Sequence, residues 1–294
     1  MRHSVRILVN SMPKSGTSLL IKTVELLGFR NVPRTYGISQ SILSKIGLSI
    51  PHILSYQTVS KHHMSHFYRL FNKIQKGAFI PIGVTTPVQI PSIIVSFWLR
   101  QIPRENYYVA GHIPFSRNLD TLLQQLGYKH ILIIRDLRDV LVSFLHFILR
   151  LRPEHPLSAD FQHLSEDERV KFAINGGYLP ISKRQILGIG NAFRSVVDWK
   201  QSQNCLIVRF EDLIGEKGGG SSKMQYDTIK RTCNYLQIDL EEREIVRICK
   251  SVFDSTAPTF RRGQIGSWKS ELKPEWIKIF NQSYSELLSE LQYE

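Results

Sequence analysis

Residues 4 to 10 form an apolar run, broken by one arginine and closing on small polar residues, which predicts a strand buried in a parallel sheet. Leu19, Leu20, Val24 and Leu27 then recur at helical spacing and stop at Gly28, so a helix is expected over 18 to 28. The same alternation returns further on. YYVAG (107 to 111), HILII (130 to 134) and CLIVR (205 to 209) read as strands, and helices are expected over 136 to 150, 188 to 203, 224 to 237 and 241 to 252. A last helix is expected over 274 to 292, with Pro274 in its first turn. This order predicts an α/β fold, a doubly wound parallel sheet with flanking helices, whose ligands lie beyond the carboxyl ends of the strands.

Two stretches depart from the alternation. Residues 36 to 104 are rich in histidine, aromatics and proline, with helical spacing near 60 to 76 and 89 to 101, and read as an insertion covering a site. GEKGGGSSK (215 to 223) reads as a flexible loop. Repeats and interdomain linkers are absent from the sequence, so residues 1 to 294 are expected to form one domain.

Three segments carry candidate chemistry. SMPKSGTSLL (11 to 20) joins the first strand to the first helix, the place where backbone amides and a helix N-terminus converge on an anion. A nucleotide-triphosphatase loop has its lysine after the second glycine, whereas here Lys14 precedes Gly16. In HILIIRDLRDVLVSFLHF (130 to 147), Arg135 ends a strand, Asp136 and Asp139 suit an N-cap and a first-turn acid, and Ser143 follows two turns on. In FRRGQIGSWKSEL (260 to 272), two arginines before a glycine offer anion contacts and a close backbone approach. Taken singly, Arg135 is as readily a surface ion pair, and the arginine pair a solvated basic turn.

A formal charge of +13 calls for an anionic partner: nucleic acid, an anionic membrane surface or a polyanionic small molecule. Three unpatterned cysteines speak against a disulfide framework or a zinc site and for a reducing compartment. The first residues form neither a secretory signal nor a membrane anchor, so a cytoplasmic protein without a membrane span is expected.

Together, in order and separation, the three segments resemble the sulfotransferases that use 3'-phosphoadenosine 5'-phosphosulfate (PAPS), over roughly residues 5 to 272. Pro13, Lys14, Ser15, Gly16, Thr17 and Ser18 match the P-K-[ST]-G-T-[ST] loop that holds the 5'-phosphosulfate in that family. Arg135 and Ser143 match its 3'-phosphate segment, and Arg261, Arg262 and Gly263 open a stretch similar to its R-K-G-x-x-G-D-W-K motif. The resemblance implies a P-loop-like sulfotransferase fold and transfer of a sulfuryl group without a metal, leaving 3'-phosphoadenosine 5'-phosphate (PAP). It also implies His112, in AGHIP, as the base that deprotonates the acceptor, with Lys14 at the oxygen of the leaving group.

Four departures from the family stand out. Ala110 replaces a lysine, Leu19 the tryptophan that stacks on adenine, Phe210 a tyrosine and Ser267 an aspartate. Phe253 is a candidate adenine platform by position. Glu211 and Asp212, in VRFEDLIGE, are expected to cap or pair with arginine.

The acceptor is expected to be a small organic molecule bearing a hydroxyl or amine, held by the 36 to 104 region, with His62, His63, His66, Phe67, Tyr68, Phe97 and Trp98 as candidate lining, although each of them is as readily a residue that packs two helices together. A P-loop kinase or ATPase would need a carboxylate at a strand end near the loop, but HILII and CLIV both run into arginine. A nucleic-acid binder would show a continuous basic stripe, whereas these arginines are dispersed in separate motifs. The sequence specifies neither the acceptor nor the oligomeric state.

Overall fold

The structure, a computed structural model, describes residues 5–32, 53–55, 78–151, 154–257 and 260–293. In chain order the elements begin β1 (Arg6–Ser11), α1 (Thr17–Leu26), β2 (Arg30–Asn31), β3 (Ile53–Leu54), β4 (Phe79–Ile82), β5 (Val88–Pro91) and α2 (Ser92–Arg100). They continue with β6 (Tyr107–Gly111), α3 (Arg117–Gln125), β7 (Tyr128–Ile134), α4 (Leu137–His146), α5 (Ser158–His163), α6 (Glu166–Asn175), β8 (Gly176–Leu179) and β9 (Arg184–Leu187). The last are α7 (Ile189–Val197), β10 (Cys205–Arg209), α8 (Phe210–Leu213), α9 (Ser222–Leu236), α10 (Glu242–Val252), α11 (Trp268–Glu271) and α12 (Pro274–Glu290).

The central sheet runs β10-β7-β1-β6-β2, with β3 also on β6, and every pairing in it is parallel. All six residues of β1 are buried because the strand lies between neighbours and is covered on both faces. Side chains alternate across it: Ile7 and Val9 join one core with Leu20 and Val24 of α1, Ile229 of α9 and Ile245 of α10. Leu8 joins the other core with Leu119 of α3, Val140 of α4, Phe193 of α7 and Phe280 of α12. Burying each such branched or aromatic side chain contributes roughly 1.5–3 kcal/mol of transfer free energy. Arg6 is also buried; its guanidinium donates to the Ile102 carbonyl at 3.2 Å and to that of Leu126, and lies over the Tyr128 ring.

Several sequence expectations need correction. The helix expected over 89 to 101 begins only at Ser92, because Val88–Pro91 pairs antiparallel with Phe79–Ile82 as a hairpin and Pro91 closes the strand. Trp98, a proposed pocket residue, is 1% exposed and belongs to the core, while Phe97 on the next helical position is exposed. His62, His63, His66, Phe67 and Tyr68, and the helix expected over 60 to 76, lie outside the described residues.

The 215 to 223 stretch is a bonded turn: the Gly218 and Gly220 amides both donate to the Gly215 carbonyl, at 3.0 and 2.9 Å, and the Gly218 carbonyl accepts from Ile265 at 3.0 Å. Its glycines serve close approach rather than freedom. Helix α4 runs from Leu137 to His146 and widens into a π-helical turn over Phe147–Leu151. Elements α5, α6 and the β8–β9 hairpin were not anticipated; they pack Leu157, Phe161, Leu179 and Ile186 against Ile148 of that turn. No helix among the described residues is long and apolar enough to cross a membrane.

Candidate active site

The carboxyl ends of β1, β6 and β7 lie side by side, and each is followed by one of the candidate groups. Asn10 pairs with both Gly111 and Leu132, so Lys14, His112 and Arg135 leave the sheet at the same edge.

After β1 the chain turns tightly, with the Ser15 amide donating to the Met12 carbonyl at 3.2 Å. Lys14 and Gly16 both adopt left-handed backbone, at φ 73 and φ 104. A Cβ on Gly16 would lie 2.7 Å from Cδ2 of Phe210, so the residue must be glycine for space as well as for backbone. Helix α1 starts there without a side-chain cap or a first-turn acid, leaving its positive end unneutralised. The Ser15 hydroxyl is buried and without a hydrogen-bond partner among the described residues, while Ser18 is exposed on the first turn. The Lys14 ammonium lies 4.4 Å above the Phe147 ring of the π-helical turn.

His112 follows β6 and is fixed through its backbone, donating to the Leu54 carbonyl at 2.9 Å and accepting from Gly83 at 3.0 Å. The Asn10 amide side chain imitates a strand, exchanging two 2.9 Å bonds with the backbone of Ile113. His112 Nδ1 lies 2.9 Å from the Ser11 carbonyl and 3.2 Å from the Ser11 hydroxyl, which itself bonds Thr17 at 2.7 Å. Burial pushes the His112 pKa below its ordinary value; the Ser11 carbonyl opposes this and the Lys14 charge adds to it. Lys14 and His112 therefore share one electrostatic environment. Ala110, where the family has lysine, is packed into the apolar core.

Arg135 follows β7 and is 6% exposed, well away from the surface ion pair that a lone arginine suggests. Its guanidinium stacks 4.1 Å from the centre of the Phe210 ring, the same ring that bounds Gly16. Nη2 donates to the Gln264 carbonyl at 2.7 Å and lies 3.4 Å from Asp139, while Nε is buried without a partner among the described residues. Asp136 caps α4 and holds Arg138 at 2.8 Å. Asp139 accepts from the amides of Gly266 at 2.8 Å and Trp268 at 3.0 Å, so a first-turn acid of α4 docks the whole 264 to 268 segment beside Arg135. Ser143 is buried one helical turn before His146.

Gly263, at φ 61, packs where a Cβ would meet Phe260 at 2.8 Å and Phe253 at 3.2 Å. The two rings meet edge to face at 5.6 Å, which places Phe253 against the glycine of the arginine motif. Leu19, in the position of the family's tryptophan, is buried in the core. Beyond Ser143, a cavity of about 310 Å³ is lined by His146, Arg150, Arg261 and Arg262. Glu271 reaches into this group, accepting from Arg261 Nη1 at 2.6 and 2.7 Å, from Arg262 Nη1 at 3.2 Å, and lying 2.9 Å from His146 Nε2.

The folded chain thus gathers Lys14, Gly16 and His112 at one place, and Arg135, Phe253 and the 261 to 264 segment at another, with Phe210 between Gly16 and Arg135. Several participants went unread in the sequence. Ser11, His146, Arg150 and Glu271 all touch or line these groups, and the spacing of Ser143, His146 and Arg150 is the one sequence signal for any of them; Asp139 reads in the sequence as a first-turn acid, which it is, but not as the partner of the Gly266 and Trp268 amides. Glu211, expected to cap or pair, accepts from the Asp136 amide at 2.9 Å and from the Tyr293 hydroxyl at 3.0 Å.

A doubly anionic donor fits these residues. The Ser15 hydroxyl at the loop and Arg135 Nε at the strand end are buried donors without partners among the described residues, one at each end of the gathering.

Comparison with solved structures places the fold among sulfotransferases. The mouse sulfotransferase SULT7A1, solved with PAP, superposes with a TM-score of 0.56 at 16% identity, covering 97% of this chain and 85% of that one. A retinol dehydratase solved with retinol and PAP gives 0.54 at 14% identity, covering 98% and 82%. A retinol dehydratase complex with androsterone and inactive cofactor PAP gives 0.53 at 14%, covering 98% and 81%. No curated protein sequence matches the chain significantly. The sulfotransferase domain profile, however, matches residues 5–292, nearly the entire chain, and with that match the fold and the three motif segments agree: the protein belongs to the sulfotransferase domain family.

Proposed function

We propose that this protein transfers a sulfuryl group from PAPS to a hydroxyl or amine of a small organic acceptor, with His112 as general base. The observation that carries the reading is the placement of Lys14 and Arg135 at one edge of adjacent parallel strands, with the Phe210 ring against both Gly16 and Arg135.

The donor supplies an activated sulfuryl group whose leaving group is a phosphate. Lys14, the Ser15, Thr17 and Ser18 hydroxyls and the loop amides hold its 5' end and stabilise the negative charge that grows on the leaving oxygen. Arg135, Ser143, Arg261, Arg262 and the Gly263 amide hold the 3'-phosphate and select this donor over one lacking that group. Phe253, beside Gly263, supports the adenine.

A carbonyl oxygen can only accept, so His112 Nδ1 carries the hydrogen it shares with Ser11, and Nε2 keeps the lone pair that takes the acceptor's proton. The depressed His112 pKa keeps that lone pair available at neutral pH.

The acceptor reading rests on what surrounds His112. The 83 to 85 segment binds His112 through Gly83 and the β8–β9 hairpin through Thr85, and Phe147 stands over Lys14. The retinol and androsterone in the retinol dehydratase structures are small organic molecules, which supports a small organic acceptor here. Incubation with sulfur-labelled PAPS and a panel of phenols, alcohols and amines tests the reading. Label transfer to a panel member by the wild type, lost in His112→Ala, supports it; transfer undiminished in His112→Ala removes the base from the mechanism.

A further inference from the structure

A carboxylate amid cations that are to hold a phosphate weakens the local positive potential, so its presence needs a reason. Glu271 stands in that position. Its side chain is 16% exposed and contacts Arg261, Arg262 and His146 at once, at the edge of the cavity that those three line with Arg150.

The geometry of the contacts is informative. Both Glu271 oxygens bind Arg261 through Nη1 alone, and Oε1 binds Arg262 through its Nη1 as well. A carboxylate that simply neutralised an arginine would face the guanidinium edge with two parallel bonds, one from each of two nitrogens. Here each arginine is held by one nitrogen at the tip, and neither Nε nor Nη2 of either arginine bonds Glu271. Glu271 is itself fixed, since it ends α11, whose first residue Trp268 is tied through its amide to Asp139, the partner of Arg135. One rigid chain of contacts therefore runs from Arg135 through Asp139 and α11 to Glu271 and the arginine pair.

We infer that Glu271 is a positioning residue for 3'-phosphate recognition, gripping Arg261 and Arg262 at Nη1 so that their remaining donor edges converge on one phosphate monoester. The inference rests on the donor reading above and deepens it. Long arginine side chains lose much rotamer freedom when they bind, and an anchor that holds them beforehand removes that cost from the binding step. Four cationic or protonatable groups around one carboxylate leave the cavity net positive, so the anchor does not cancel the site.

The test compares two ligands that differ only in the group under discussion. Dissociation constants of adenosine 3',5'-bisphosphate and adenosine 5'-monophosphate are measured by calorimetry for wild type, Glu271→Gln and Glu271→Ala, with thermal melting as a check on folding. The expected result is a wild-type preference for the bisphosphate that falls by about tenfold or more in Glu271→Ala, with monophosphate binding unchanged. Glu271→Gln, which keeps one carbonyl acceptor for Nη1, is expected to retain part of the preference.

An equal loss for both ligands would reveal a merely structural residue and overturn the inference. An unchanged or enhanced preference would overturn it too, the latter marking Glu271 as a competitor of the phosphate. A wild type without preference for the bisphosphate would instead overturn the donor reading, and the inference with it.

Discussion

His112 Nδ1 sits 2.9 Å from the main-chain carbonyl of Ser11, an acceptor that cannot donate, and this one contact fixes which nitrogen of the imidazole is basic. The carbonyl belongs to the last residue of β1, immediately before the loop that carries Lys14, so the strand that presents this loop also sets the histidine tautomer. Burial and the Lys14 charge hold the His112 pKa below the ordinary value. A base must be unprotonated to work. The acid limb of kcat/KM is therefore expected below the histidine reference of about 6.5, as checked by a pH–rate profile with saturating donor. His112→Ala is expected to lose roughly 10²–10⁴-fold in turnover while keeping its affinity for PAP.

Gly16→Ala tests the loop. The substitution puts a methyl 2.7 Å from Phe210 and forces a side chain into left-handed backbone at φ 104. Strain of roughly 1–2 kcal/mol from the backbone alone, with the clash added, is expected to displace either the loop or the ring that Arg135 stacks on. Binding of both mono- and bisphosphate should suffer, measured by calorimetry on protein whose circular dichroism matches wild type. Intact binding would show that the loop has room to spare.

Gly218→Ala probes the turn that sequence composition presented as flexible. A Cβ there would stand 2.1 Å from Ile214 and 2.6 Å from the Gly263 carbonyl. If the turn buttresses the arginine motif, the substitution selectively weakens bisphosphate binding although residue 218 precedes the motif by more than forty positions. A freely moving loop would tolerate an alanine, and affinity would not change.

Much of this site is local in sequence, and that part could be read directly. The loop around Lys14, the strand ending in Arg135 and the paired arginines before Gly263 are contiguous stretches whose residue types state their chemistry, and the apolar runs at 107 to 111 and 130 to 134 fall within the observed strands. What escaped depends on contacts between distant positions. Asp139 looked like an ordinary first-turn acid, yet it binds two amides 127 and 129 residues away. Glu271 lies inside the 260 to 272 stretch, yet nothing in the residue order shows that its carboxylate folds back on Arg261 and Arg262 or meets His146, 125 residues upstream. Trp98 was misplaced for a related reason, since an aromatic at helical spacing suits a pocket and a core equally well until the opposite face is known.

His130 offers a stability measurement independent of ligand. Its ring is fully buried, edge to face with the Trp199 indole at 4.2 Å between centroids, and neither nitrogen has a partner among the described residues. Burial pushes its pKa down to about 3. The unfolded chain binds a proton near 6.5 and the native one near 3, so below 6.5 the unfolded state holds more protons and stability falls as pH falls through that window. The loss at pH 5 relative to pH 7 is on the order of 2 kcal/mol from this group. Urea titrations of wild type and His130→Phe across the window should show a shallower pH dependence in the variant; parallel curves would exclude His130 as a source of acid sensitivity.

The claim beneath the binding and turnover predictions is that one edge of the sheet grips a nucleotide carrying anionic groups at both its 5' and 3' positions. Calorimetric titration of the folded wild-type chain with adenosine 3',5'-bisphosphate tests this without knowledge of the acceptor. Stoichiometric binding in the micromolar range is expected, weakened about tenfold or more by Lys14→Ala and by Arg135→Ala separately. A folded chain that shows no binding at millimolar ligand would contradict it.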